Sequence, residues 1–207
     1  AGRKNVAIGY DALSTQNNDA DTFNTAVGYD AGKAVTTGTA NTLIGALAGD
    51  ALTNADDNVA LGVGALGSDT LGSHSVALGK DALESQNFTT ATDSNNTAVG
   101  YQAGLRVTTG VRNTLIGALA GDALTDADFN VAVGNLALTA DTLGSRSVAV
   151  GMNALQGQNF TTATDSNNTA VGHNAGAEVT TGVFNTLIGG EAGDALTDAD
   201  NNVALGY

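Results

Sequence analysis

The 207-residue sequence has no proline, no cysteine and no tryptophan, and it carries only four tyrosines and five phenylalanines. Without cysteine there is no disulfide framework and no zinc–thiolate site. So few aromatics argue against an ordinary globular core. Basic residues are scarce too, seven against 21 acidic ones, for a formal net charge of −14. A polyanion is a poor partner for nucleic-acid phosphates or an anionic membrane face, so neither is an expected partner. No apolar run approaches the roughly 18–20 residues of a membrane helix, so no direct membrane insertion is expected. Missing prolines suit a chain whose backbone N–H groups all feed a ladder.

What the chain has instead is glycine, at 28 positions, and a strict internal repeat. A phrase reading Asn/Ser, Val/Thr, Ala/Leu, Ile/Val/Leu, Gly begins at Asn5, Asn24, Asn41, Asn58, Ser75 and Asn96. It returns at Asn113, Asn130, Ser147, Asn168, Asn185 and Asn202. Successive starts lie 19, 17, 17, 17, 21, 17, 17, 17, 21, 17 and 17 residues apart. Three coils of 17 and one of 21 make a 72-residue unit, giving units 24–95, 96–167 and a partial 168–207. Residues 1–207 therefore read as one repetitive segment, and the pattern is cut at both ends as in a piece of a longer protein.

Each phrase predicts a short strand. Its second and fourth residues share one face and the third points to the other. The fourth is always a large aliphatic, such as Ile8 or Val99, and the third is Ala or Leu. Both faces are apolar, so both need cover. The larger side chains are expected to fill the interior of a parallel β-solenoid of about twelve coils. The small face at Ala26, Leu43, Ala60, Ala98, Leu115, Ala132, Ala170 and Leu187 then needs something outside the coil to cover it. The invariant glycine suits a corner with positive φ or close backbone approach. An Ala three residues beyond it suggests a second short strand, followed by a polar return turn. The leading Asn suits a turn end, bonding local backbone or stacking on the Asn of the next coil.

Phrases such as SVALG at Ser75, SVAVG at Ser147 and NVAIG at Asn5, each followed by x-x-Ala, resemble the YadA-like head repeats of trimeric autotransporter adhesins. Similar NTAVGY-x-AG repeats occur in phage tail fibres. The resemblance covers essentially the whole chain, although these coils are longer than the adhesin heads favour. It implies a left-handed β-roll, three copies of which pack into a homotrimeric rod. The small Ala/Leu face would then lie at the threefold axis.

No constellation for enzymatic chemistry stands out. His74 and His173 lack a matched Ser or Cys partner. Gly62–Gly67 satisfies G-x-G-x-x-G, but its sister stretch Gly134–Thr139 does not, and no βαβ unit surrounds it. No cofactor is expected beyond Ca²⁺. The acidic turns holding Asp126, Asp128, Asp198 and Asp200 are candidate ligands for it, against a plain reading as Asx turns. The 21-residue coils insert four residues, and such an insertion should bulge outward. Phe88, Thr90 and Thr92, with Phe160, Thr162 and Thr164, are accordingly candidate recognition residues, against a reading in which each Phe covers its own enlarged coil. The expected function is a non-enzymatic structural and adhesive segment of an extracellular trimeric fibre, at a cell surface or on a virion. Its expected partners are copies of itself and a cell-surface glycan or protein receptor. The alternatives are a surface-layer or filament subunit assembling end to end, and an ice-binding solenoid built on Thr-x-Thr.

Overall fold

A single Asn-to-Gly phrase can form only a three-residue strand, because the glycine that ends it turns the chain. The structure, a computed structural model describing residues 2–207, has twelve such strands, from Val6–Ile8 to Val203–Leu205. Each pairs in parallel with the strand of the next coil, phrase to phrase, as in Thr97↔Thr114, Ala98↔Leu115 and Val99↔Ile116. The twelve form one sheet in unbroken coil order, and the chain is an all-β solenoid of about twelve turns. Coil length does not disturb the register: the 21-residue step still pairs Val76 with Thr97.

The corner glycines are required twice over. Gly62 and Gly100 lie at φ of 142° and 140°. A Cβ on Gly62 would also collide with the carbonyl oxygen of Gly79 in the next coil, and one on Gly100 with that of Gly117. The eleven glycines from Gly9 to Gly189 each abut the next in this way, so the corner is a column of touching backbones.

Beyond the corner the expected second strand is absent. Gly64 and Leu66, two and four residues past Gly62, take φ of 68° and 55°, and a chain that enters the left-handed region at alternate residues cannot be extended. The segment is a run of turns, yet it bonds from coil to coil: Gly64 donates its N–H to Ala46 at 3.0 Å and Leu66 to Ala82 at 3.0 Å. Among the described residues, two-residue strand pairs on this return side occur at the long coils, where Gly72–Ser73 pairs with Thr92–Asp93 and Gly144–Ser145 with Thr164–Asp165, and a single parallel bridge joins Arg3 to Asp21.

The interior is one side chain wide. Leu43 reaches across it, and a Cβ placed on Gly32 or Gly49 opposite would lie 2.7 Å from its methyl groups. Where the strand centre is Ala60 or Ala77, the opposite position is instead Leu66 or Leu83, all four fully buried. Leu115 with Gly104 and Gly121, and Leu187 with Gly176 and Gly193, repeat the first arrangement. Each leucine thus lies over glycine or alanine, and the Ala26–Gly32 level is filled by Leu13 and Leu43 from the coils on either side.

The anchor asparagines form a buried rail. Asn41 accepts the N–H of Asn58 at 3.0 Å, and its amide donates to the carbonyl of Ala55 at 2.8 Å. Asn113 does the same with Asn130 at 2.9 Å and Ala127 at 2.8 Å. Each side chain thus ties its own coil shut and holds the next, satisfying backbone groups that water cannot reach.

Candidate association face and the long-coil insertions

The second and fourth residues of every phrase point outward. They make two columns of 24 side chains without one charge, on a chain of net charge −14. Leu61 is 49% exposed, Ile116 38% and Ile188 41%. The apolar surface continues past the corner through Tyr29, Val63, Tyr101 and Met152, all exposed, and Tyr10 stacks on Tyr29 with centroids 5.6 Å apart.

This reverses the expected faces. Ala26, Leu43, Ala60, Ala98, Leu115, Ala132, Ala170 and Leu187 are all 0% exposed within the chain's own interior and cannot meet another chain. The reason is space: a 17-residue coil has room for Ala, or for Leu opposite glycine, but not for Val and Ile on every strand.

Beside the sheet runs a ridge formed by the residue before each anchor. All twelve adopt φ between 50° and 64° although none is glycine. Their side chains stack along the rod. Arg112 and Arg146 each lie 5.2 Å from the ring of Phe129, Lys4 lies 5.1 Å from that of Phe23, and Arg146 pairs with Asp165 at 2.9 Å. His74 stands 3.6 Å from Asp57 and 3.2 Å from Asp93, occupied in surface pairing.

The long coils also differ from the outward bulge expected at their aromatics. Phe88 and Phe160 are 5% exposed. Each ring lies on the backbone of a glycine in the coil before, Gly72 or Gly144, where a Cβ would come within 2.8 Å or 2.7 Å of it. As recognition residues the two phenylalanines are therefore excluded, because an enlarged coil opens a gap that only a large apolar side chain fills. Thr90 and Thr162 are exposed at the loop tips. Thr92 and Thr164 are half-buried, and their hydroxyls donate to the carbonyls of Thr90 and Thr162 at 3.0 Å.

Under each insertion lies a buried polar cluster with no counterpart among the sequence expectations. Serine replaces asparagine as anchor here and is too short to tie two coils. Gln86 substitutes for the missing amide. It donates to Ser75 Oγ at 2.9 Å and to Asp69 Oδ2 at 2.6 Å, and it accepts from Asn96 Nδ2 at 2.8 Å. Asp69 in turn accepts the N–H of Gly72 at 3.0 Å and of Phe88 at 3.2 Å. Asp141, Ser147, Gln158 and Asn168 repeat the arrangement, with every member fully buried. Burial pushes the Asp141 carboxyl above its ordinary value, against the opposing effect of the donors from Gln158, Phe160, Gly144 and Thr142. The available signal was one column: the eleventh residue after the anchor reads Val35, Leu52, Asp69, Gln86, then Val107, Leu124, Asp141, Gln158.

Three of the four candidate aspartates staple neighbouring coils, and Asp198 bonds within its own turn. Asp128 accepts the N–H of Val111 at 2.8 Å and Asp200 that of Val183 at 2.8 Å. Asp126 accepts the hydroxyl of Thr109 at 2.6 Å, and Asp198 that of Thr197 at 3.2 Å. Among the described residues no three Asp, Glu or His side chains converge where a metal ion could be held. Nor is any helix there long and apolar enough to cross a membrane. Comparison with protein-family models, with curated proteins and with solved structures finds no match for this chain.

Proposed function

We propose that this chain is a non-enzymatic segment of a long extracellular trimeric fibre, a surface adhesin or phage tail fibre, with its apolar outer sheet turned toward the threefold axis. The observation that carries this reading is the uncharged face that runs unbroken along all twelve coils of a strongly acidic chain. A partner that follows this face must repeat at its axial period, about 4.8 Å per coil. A second copy of the same chain has that period by construction. With the column past the corner, where Lys80, Asn135 and His173 interrupt the apolar side chains, the face measures roughly 55 Å by 13 Å, or about 700 Å², from strand rise and spacing. Standard interfaces bury about 600–1,000 Å² per partner, a range that includes this area.

Threefold assembly, the left hand of the coil and the fibre role come with the resemblance of the repeats. In this arrangement the Asp- and Thr-rich turns and the insertion tips face outward. There they project toward a glycan or protein receptor on a cell surface, or decorate a virion fibre.

Sedimentation equilibrium of the chain tests the reading: a discrete trimer is expected, and Val99→Asp should shift it toward monomer. A monomer at all concentrations would overturn it. Open-ended lengthening with concentration would favour the filament subunit instead.

A further inference from the structure

The second residue of the twelve phrases runs Val6, Thr25, Thr42, Val59, Val76, Thr97, Thr114, Val131, Val148, Thr169, Thr186, Val203. Threonine and valine thus come in pairs, repeating every four coils. The threonines on this face are half-exposed, as Thr97 and Thr114 are, while the backbone groups beside them are spent in the coil-to-coil ladder. Once another copy covers the face, each hydroxyl must find its partner across the contact.

We propose that these six threonines set the axial register in which copies of this chain associate, a role that rests on the association reading above. In register, each threonine pair meets a threonine pair. Slipped by one coil, half of the threonines meet valine. Slipped by two, five of the six in each copy meet valine and the sixth lies beyond the contact, so every covered hydroxyl is left without a partner. A slip of four coils restores the match but leaves four coils at each end uncovered. The device resembles a single polar residue that fixes register in a coiled-coil seam at some cost in affinity. Valine occupies the same position in the other six coils, so a chain with all six threonines replaced by valine is expected to keep the fold.

The chain has no cysteine, so single cysteines on the outer column report register directly. Val99 and Val133 lie two coils apart on that column. Disulfides form only when Cα atoms approach within about 7 Å, which a two-coil offset of about 10 Å exceeds. Val99→Cys and Val133→Cys chains, one carrying a size tag, are mixed, unfolded, refolded together and oxidised. In the otherwise native sequence, cross-links are expected only between identical positions, and native mass spectrometry should give one discrete oligomer. In the six-valine background, cross-links between position 99 and position 133 should appear. Slipped copies with open faces should then recruit further chains, giving a spread of masses. A six-valine protein that keeps one mass and same-position cross-links overturns the register role while leaving association standing. Mixed-position cross-links in the native background overturn it as well. A native chain that is monomeric instead removes the association reading on which it rests.

Discussion

Ala98 and Val99 are neighbours on one three-residue strand, and they lie in different worlds: Ala98 is fully buried, whereas Val99 stands half-exposed on the outer sheet. By transfer energy alone the valine belongs inside and the alanine can be anywhere. Cross-section decides otherwise. A coil of 17 residues closes so tightly that its strand centre accepts Leu only opposite glycine, and otherwise Ala. Volume sorts the two faces, and hydrophobicity in excess of the available volume is left on the exposed sheet.

The sharpest test of this comparison is a pair of aspartates. Ala98→Asp places an unpaired charge in the interior and should abolish folding of the coils around it, a loss above about 4–5 kcal/mol. Val99→Asp should cost less than about 1 kcal/mol in the single chain and act on association instead. Urea unfolding and sedimentation of both variants measure the two effects. If Val99→Asp unfolds the chain and Ala98→Asp does not, the faces are assigned the wrong way round.

The long coils give the next contrast. Phe88→Ala should cost about 3–5 kcal/mol, because the ring fills the gap its own insertion creates. Thr90→Ala at the exposed tip should stay within about 0.5 kcal/mol. Thermal unfolding reports both, and equal costs would mean that the ring is not packed against Gly72.

How far the sequence revealed all this depends on which residues carried the information. Twelve phrases ending in glycine made the coil count and the parallel stacking plain, because periodicity needs no knowledge of volume. The Val99 side was expected inside, since a residue-by-residue scale ranks Val above Ala and knows nothing of coil diameter. The turns beyond the corner were misread as a strand because Leu66 and Leu83 carry no mark of positive φ. The Asp69–Gln86 and Asp141–Gln158 pairs escaped because their column is apolar in two coils of every four, and a polar pair in it looks like surface until the coils are stacked.

The anchor rail offers a milder comparison. Asn113→Ala leaves the carbonyl of Ala127 and the N–H of Asn130 buried without partners, for a loss of roughly 2–4 kcal/mol. Thr114→Ala, one residue further and on the outer face, should cost under about 1 kcal/mol. Similar midpoints for both variants in denaturant titrations would show that the rail contributes little.

The smallest expected effect is a dependence on pH. Because the folded Asp141 carboxyl titrates above its ordinary value of 3.8, ionisation is disfavoured by folding. Its contribution is therefore most favourable near and below that value and is lost as pH rises through the raised folded one. Asp141→Asn removes this dependence while keeping an acceptor for the Gly144 and Phe160 amides. The melting temperature of the native chain relative to the variant should fall as pH rises from about 4 to 7. A constant difference would place the charge out of the calculation.

The stacking of Asp69 beneath Gln86, and of Leu43 between two glycines, also bears on how such a rod changes length over generations. Adding or removing a single coil would set an aspartate under a valine, or a leucine against a leucine. Exchange between the identical stretches Gln86–Gly100 and Gln158–Gly172 removes 72 residues and leaves every such neighbour in place. Changes of length in steps of four coils are thus the ones that keep the interior packed, and rods of different length are expected to differ by whole units.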